Sequence, residues 1–375
     1  MFNNNYLLNN YLNNNLLSVN YQLNNNLIAK LSTQDFLIIN SLFSEIDCQK
    51  LNNNINYLQN KILSNPNYSN EVLFPFLFPN ILYLINNQYG NSIYQVFIEI
   101  LNKNNTLSLL SIIKNNFNEI SKNQNGTKLI QKLIEKSSLN DKDNTIQKNL
   151  INILKGKVYE CSIDEFANHI IQKFIIHFNY PINNFIYKEL SENFVKVCIN
   201  KFGCCVIQKC LINGTKEQKE KIIYLVLKYT FHLIKNQFGN YVYQGVILLK
   251  NEKVISKIID IISDKIISLC KEKYSSNVIE KFFDINNLNI INPLINYLTE
   301  NELRIMELIT NKYGNYIIQK ILSVCSDKNL FLRTLNIIAK NIQTINNISF
   351  GKKLISKLKE KYPILYSLIN NNNWK

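Results

Sequence analysis

Histidine occurs only three times in the 375 residues, and the eight cysteines (Cys48, Cys161, Cys198, Cys204, Cys205, Cys210, Cys270 and Cys325) include no Cys-x-x-Cys pair. Neither a metal site nor a disulfide framework is indicated, and no cofactor is expected. Most of these cysteines stand where small apolar residues would stand in helical patterns, so reduced thiols in a cytosolic or nuclear protein are expected. A glycine-rich phosphate cradle and a nucleophile–base set are also missing, so no catalytic residues are assigned and an enzyme is not expected. The most apolar window, Val72 to Ile85, is too short to span a bilayer and contains Pro75 and Pro79, which argues against membrane insertion. The asparagine-rich N-terminus lacks a basic stretch followed by an apolar core, so no secretory signal is expected.

Acidic residues are in deficit. Forty-two Lys and Arg against 27 Asp and Glu give a formal net charge of +15 and a pI near 9.2, which suits a polyanionic partner. The hydrophobic fraction of 46% is ample for a continuous core. Residues 1–26 are Asn runs punctuated by Tyr and Leu, a composition expected to form a disordered tail. From Leu27 the apolar residues Leu31, Phe36, Leu37, Ile39, Leu42 and Phe43 fall at helical spacing behind Ser32 and Thr33, which predicts an initial capping helix.

The rest of the chain is a repeat. Lys312-Tyr313-Gly314-Asn315-Tyr316-Ile317-Ile318-Gln319-Lys320 recurs as variants whose phase is marked by Asn54, Gly90, Gly126, Ala167, Gly203, Gly239, Ser275, Gly314 and Gly351. The intervals between these marks are 36, 36, 41, 36, 36, 36, 39 and 37 residues, the period of a helical unit stacked into an all-α solenoid. The two long intervals predict extra loop residues at Ser137–Thr145 and around Asn286–Pro293, and the prolines read as loop or helix-start residues.

At about 100° per residue, Asn315, Gln319, Tyr316 and Lys320 occupy one arc, while Ile317, Ile318, Ile321 and Leu322 occupy the opposite one. The same division holds for Val206, Ile207, Cys210 and Leu211, for Ile170, Ile171, Phe174 and Ile175, and for Val278, Ile279, Phe282 and Phe283. One face is expected to be core and the other to be presented as a ladder. Amide or carboxylate groups four residues apart, with a flat side chain between, suit the edge and face of a nucleobase. Lys132, Lys173, Lys209, Lys281 and Lys320, each following the Gln or Glu, would border that ladder for phosphates.

Units such as NYIIQ, SNVIE, NYVYQ and NHIIQ resemble the Pumilio-homology (PUF) RNA-binding repeats, and Gly351 to Leu358 resembles that family's closing helix. The resemblance covers roughly Leu27 to Tyr362. It implies one domain over residues 27–370: a crescent of eight repeats, centred near residues 55, 91, 127, 168, 204, 240, 276 and 315, with a C-terminal cap near 352. Its concave face would bind single-stranded RNA antiparallel to the protein, one base per repeat. The resemblance assigns base-edge contact to Asn315 and Gln319, with Tyr316 stacking, for uracil. It assigns Ser276 and Glu280 with Asn277 to guanine, and Asn240 and Gln244 with Tyr241 to uracil. Cys204 and Gln208 match the adenine type, and Asn168 and Gln172 with His169 match uracil. The implied target begins 5′-UGUAU.

The N-terminal half departs from that pattern. Cys205 stands where an Arg usually stacks, and Ser92 replaces the expected Tyr beside Asn91 and Gln95. Thr127 and Gln131 with Lys128 are an unusual, adenine-tolerant combination. In repeat one Ile55 occupies a base-edge position beside Asn56 and Gln59, and Lys61 interrupts the apolar arc. Strong selection at UGU and relaxed selection towards the 3′ end are therefore expected. The resemblance further implies a monomeric, cytoplasmic regulator of messenger RNA translation or decay that binds UGUA elements in 3′ untranslated regions. Deadenylation or translational-repressor proteins would dock on the convex side and the loop from Asp284 to Asn301. Two alternatives remain at this point: a less selective RNA-binding factor in ribosome biogenesis, and a protein-binding scaffold of the HEAT or armadillo kind.

Overall fold

The computed structural model describes residues 27, 29–41, 48–86, 88–140, 144–285 and 287–363. The tail predicted to be disordered lies outside these residues. Among the described residues there is no strand, and the chain divides into two compact units, with the boundary in sequence after Glu189.

Each unit is an α-solenoid. A complete repeat has a long helix, a short one and a helix carrying the motif, as in Lys216–Lys228, Thr230–Ile234 and Gly239–Leu248. In the first unit the motif helices are Cys48–Ser64, Gln88–Ile100, Gln124–Asn140 and Asn168–His177, each set against the next. In the second unit they are Gly203–Asn213, Gly239–Leu248, Ser275–Phe282 and Gly314–Val324, and the cap helix Ser349–Lys361 closes the row. The initial capping helix is present as Thr33–Ser41 and lies against Cys48–Ser64.

The apolar arcs are the core, as the helical period requires. Ile317, Ile318, Ile321 and Leu322 are buried, and so are their counterparts in repeats two to seven, whereas in repeat one Leu58 and Ile62 are buried and Tyr57 and Lys61 are half-buried. At about 1.5–3 kcal/mol for each fully buried aliphatic side chain, such a quartet is the main term holding one repeat to the next. Glycine at the phase mark has a steric reason. A Cβ built on Gly314 would stand 2.7 Å from the Leu308 carbonyl oxygen, so the motif helix can approach the preceding short helix only without a side chain there.

Repeat one contains the exception anticipated at Lys61. Its ammonium reaches the buried Asp35 carboxylate at 2.6 Å, between the rings of Tyr57 and Tyr68, and the Tyr68 hydroxyl donates to the same oxygen at 2.7 Å. Lys61 thus ties the capping helix to the first repeat.

Two loop expectations hold only in part, since Asn144 and Asn287 are non-helical but residues 137–140 and Pro293 are helical. Ser137 to Asn140 continue the motif helix Gln124–Asn140, because Ser137 is buried and its hydroxyl caps inward onto the Ile134 carbonyl at 3.0 Å. Pro293 lies inside the helix Leu288–Leu298. Burial of Ile291, Leu294, Ile295 and Leu298 outweighs the missing N–H, and Pro293 and Asn289 are exposed, where water can take the orphaned carbonyl. Pro181, by contrast, sits in a turn as expected.

Candidate nucleic-acid interface

A residue that the sequence reading passed over sets five of the motif helices in place. Asn311 accepts from the backbone N–H groups of Tyr313 and Gly314 at 2.8 and 3.0 Å, a short-side-chain cap on the first turn. Asn236, Asn200 and Asn123 do the same at the same distances, and Asp164 does so for Phe166 and Ala167 at 2.9 Å. The signal was available: an Asn or Asp four residues before the base-edge residue recurs in phase. Repeat seven lacks it, having Glu272, and there the Ser275 hydroxyl donates to the Leu269 carbonyl at 2.6 Å instead.

The five-residue unit has a burial pattern that helical periodicity alone did not predict. Its first residue is buried, its second is exposed and its fifth is half-buried. Asn168, Cys204, Asn240, Ser276 and Asn315 are all buried, as are Asn91 and Thr127, so the residues expected at the base edge are set into the helix rather than presented. The exposed second residues are Lys128, His169, Cys205, Tyr241, Asn277 and Tyr316. Ser92 is half-buried with its hydroxyl on the Tyr89 carbonyl at 2.7 Å, and so forms no platform.

Burial of the first residue orients the fifth. Asn315 Nδ2 donates to the carbonyls of Asn311 and Lys312 at 3.0 and 2.7 Å, which leaves its Oδ1 to accept from Gln319 Nε2 at 2.8 Å. The chain of bonds fixes both amides, since a carbonyl can only accept. Gln319 Oε1 has no protein partner. That oxygen is itself shielded from solvent while the side chain as a whole is half-buried, and an acceptor beside the second Nε2 hydrogen is the pattern complementary to an N–H next to a carbonyl. The couples Asn168–Gln172 (2.7 Å), Asn240–Gln244 (2.9 Å) and Asn91–Gln95 (2.6 Å) repeat the device. In the first two of these the Asn amide is held by carbonyls of its own preceding turn, whereas Asn91 bonds to Ile85 and, one repeat on, to Asn125.

The other repeats differ in kind. Glu280 is half-buried beside Ser276, whose hydroxyl donates to the Lys273 carbonyl at 3.3 Å. A carboxylate accepts only, which matches two adjacent N–H donors. Cys204 gives its thiol to the Lys201 carbonyl at 3.3 Å, and Thr127 gives its hydroxyl to the Gln124 carbonyl at 2.9 Å, so Gln208 and Gln131 have no Asn to orient them. In repeat one the Gln59 amide donates to the Ser92 carbonyl at 3.1 Å and joins repeat one to repeat two, while Ile55 beside it is core.

The lysines are also redistributed. Lys320 and Lys281 share the Asp284 carboxylate at 2.8 and 2.9 Å, Lys173 reaches Glu135 at 3.3 Å, and Lys132 pairs with Glu99. Of the five lysines assigned to phosphates, only Lys209 has no carboxylate partner among the described residues. Burial pushes the Asp284 carboxyl up, but hydrogen bonds from Lys320 and Lys281 outweigh it and hold the group below the ordinary carboxylate value. A second basic row lies three residues before the base-edge positions. Lys201, Lys273 and Lys312 are exposed, each over the ring of the next residue, Phe202, Tyr274 and Tyr313, at 5.2, 5.1 and 5.5 Å. Beside Tyr316 and Gln319 a cleft is floored by Leu322, Leu354 and Leu358 and edged by Lys357 and Lys361. No group of His, Cys, Asp or Glu among the described residues could hold a metal ion, and no described helix is long and apolar enough to cross a membrane.

Comparison with known proteins gives these features a context. A family profile described as the Pumilio-family RNA binding repeat matches residues 116–148, 157–191, 193–227, 229–263, 265–299 and 304–330, together more than half of the chain. The match begins after repeats one and two, where Ile55 and Ser92 break the five-residue unit. A Pumilio domain-containing protein of Schizosaccharomyces pombe is 29% identical over 209 residues, which is 56% of this chain and 29% of that protein. The suppressor protein MPT5 of Saccharomyces cerevisiae is 32% identical over 192 residues, 48% of this chain and 21% of its own length. The chain thus spans less than a third of either relative. Among solved structures, the Puf4 RNA binding domain bound to the HO endonuclease RNA 3′ UTR recognition sequence is 28% identical with a TM-score of 0.75, over 81% of this chain and 95% of that one. The RNA-binding domain of yeast Puf5p bound to SMX2 RNA is 26% identical with a TM-score of 0.66, over 82% and 93%. With its repeats matched across more than half of its length, the chain belongs to the Pumilio family of RNA-binding repeat proteins.

Proposed function

We propose that this protein binds single-stranded RNA in a sequence-specific manner and acts as a post-transcriptional regulator of messenger RNA translation or stability. Its target is a UGUA-containing element of 3′ untranslated regions, beginning 5′-UGUAU. The observation that carries this reading is the in-phase alternation of a buried first residue, an exposed second and a half-buried fifth, with the Asn–Gln hydrogen bonds that fix the Gln amides. A scaffold that bound only protein would have no use for oriented amides at a constant four-residue spacing. The relatives solved with RNA support the same reading, Puf4 among them with RNA 3′ UTR recognition sequences.

Uracil is read by Gln319, Gln244 and Gln172, guanine by Glu280, and adenine by Gln208 beside Cys204. Tyr316, Tyr241, His169 and Asn277 lie against base faces, and Lys201, Lys273 and Lys312 meet phosphates together with Lys209. Selection relaxes towards the 3′ end, because Gln59 is spent on the Ser92 carbonyl and Ser92 offers no platform. The protein works as a cytoplasmic monomer whose opposite face takes deadenylation or repressor proteins.

The test is an in vitro RNA selection on the full chain and on the double variant Ser276→Asn/Glu280→Gln. The wild type should enrich UGU, and the variant should change the second base from guanine to uracil. An unchanged preference at that base would sink the assignment.

A further inference from the structure

Repeat five gathers four cysteines: Cys198, Cys204 and Cys210 are buried, and Cys205 is exposed. Cys204 and Cys205 occupy the base-edge and stacking positions, and their Sγ atoms are 4.0 Å apart. Both thiols turn towards the Lys201 carbonyl, at 3.3 and 4.0 Å, at the N-terminal end of the helix Gly203–Asn213. We infer that this pair is a modification site for thiophilic electrophiles, with Cys205 as the point of entry and Cys204 as the second ligand, and that its occupation closes repeat five to RNA. The last clause rests on the RNA-binding reading; the thiol chemistry does not.

The spacing selects the class of reagent. A disulfide bond is about 2.05 Å, so joining these sulfurs directly would require adjacent helical residues to close by about 2 Å. A bridging atom asks for less: two bonds of about 2.3 Å to a tetrahedral centre span roughly 3.8 Å. Zinc would need four ligands, and no cluster of three or more ligating side chains exists among the described residues. Trivalent arsenic is satisfied by two thiolates and its own organic substituent, so organoarsenic(III) compounds fit a site with two sulfurs and no third ligand.

With phenylarsine oxide, two As–S bonds form, the As–O bond is lost, and the two thiol protons leave with that oxygen as water. No oxidant enters. The exposed Cys205 attacks first. Burial pushes the Cys204 thiol up to about 12, so its proton is surrendered in the second, ring-closing step, where the two sulfurs are already held together. Cys198 and Cys210 are shielded by the same core that holds the motif helix. The product places arsenic and a phenyl ring where the base edge and base face of one nucleotide would lie.

The full chain, treated with one equivalent of phenylarsine oxide and digested with trypsin, provides the test, because the peptide 202–209 carries both thiols and no other cysteine. That peptide should carry one bridging phenylarsenic group, bound RNA should slow its formation, and a small dithiol should remove it. Affinity for a UGUAU-containing RNA should fall about tenfold on treatment, the scale of losing one stacked base. Cys205→Ser should lose the bridge, and its RNA affinity should be the same with and without reagent. A bare peptide 202–209 from the treated native chain would overturn the site. A bridge that leaves affinity for RNA unchanged would overturn its consequence. Labelling is scored without RNA, so a bridged peptide in a chain that never binds RNA would refute the RNA reading while the thiol site stands.

Discussion

Neighbouring residues of one repeat should separate binding from stability. Tyr316 is 46% exposed, so Tyr316→Ala leaves no cavity and should change unfolding free energy by no more than about 0.5 kcal/mol. It removes a stacking surface worth about 1–3 kcal/mol per base. At 1.4 kcal/mol per decade, Kd for a UGUAU-containing RNA should rise by about 5- to 140-fold. Asn315→Asp keeps the shape of its side chain but exchanges a donor for an acceptor. The new oxygen would face the carbonyls of Asn311 and Lys312 at 3.0 and 2.7 Å, in a residue only 1% exposed. Two buried hydrogen bonds become repulsions, and about 1–3 kcal/mol of stability or more should be lost. Fluorescence anisotropy and chemical denaturation on the same preparations measure both quantities. Early unfolding of Tyr316→Ala, normal RNA binding by it, or an Asn315→Asp variant as stable as the wild type would refute this separation.

Three further outcomes follow from the ion pairs and the first repeat. Asp284→Asn releases Lys281 and Lys320, so RNA affinity should rise at low salt, and the slope of log K against log salt should steepen by about 0.7 for each new phosphate contact; an unchanged slope would show that these lysines do not reach RNA. Burial alone would push the Asp35 carboxyl up, but hydrogen bonds from Lys61, Ser32 and Tyr68 outweigh it, and the folded value is depressed. A depressed carboxylate contributes stability above its unfolded value of about 3.9, and the contribution disappears as pH falls through the folded value. Asp35→Asn should therefore cost about 1–3 kcal/mol at neutral pH and show a shallower loss of stability below about pH 4, measured by denaturant titration across pH. Gln59→Ala should leave RNA affinity within about twofold while lowering stability by about 0.5–1.5 kcal/mol, because its amide bonds the Ser92 carbonyl; a large loss of affinity would return Gln59 to the base-reading set.

The sequence by itself determined the period, the number of motif helices and their core residues. A phase-locked apolar arc at 3.6 residues per turn has only one way to be buried, and Ile317, Ile318, Ile321 and Leu322 are buried accordingly. It also marked the exposed second residue, since Tyr316 and Tyr241 fall opposite that arc. Helical periodicity places a residue on a side of the helix but says nothing of what the preceding turn or the next repeat brings to it. The tertiary structure alone decided that Asn315 sinks onto the carbonyls of Asn311 and Lys312 and orients Gln319, that Asp284 holds Lys281 and Lys320, and that Gln59 turns to Ser92. The partners of Lys320 and Gln59 lie 36 and 33 residues away, and the chain comes back beside itself at that spacing only once the repeats have stacked.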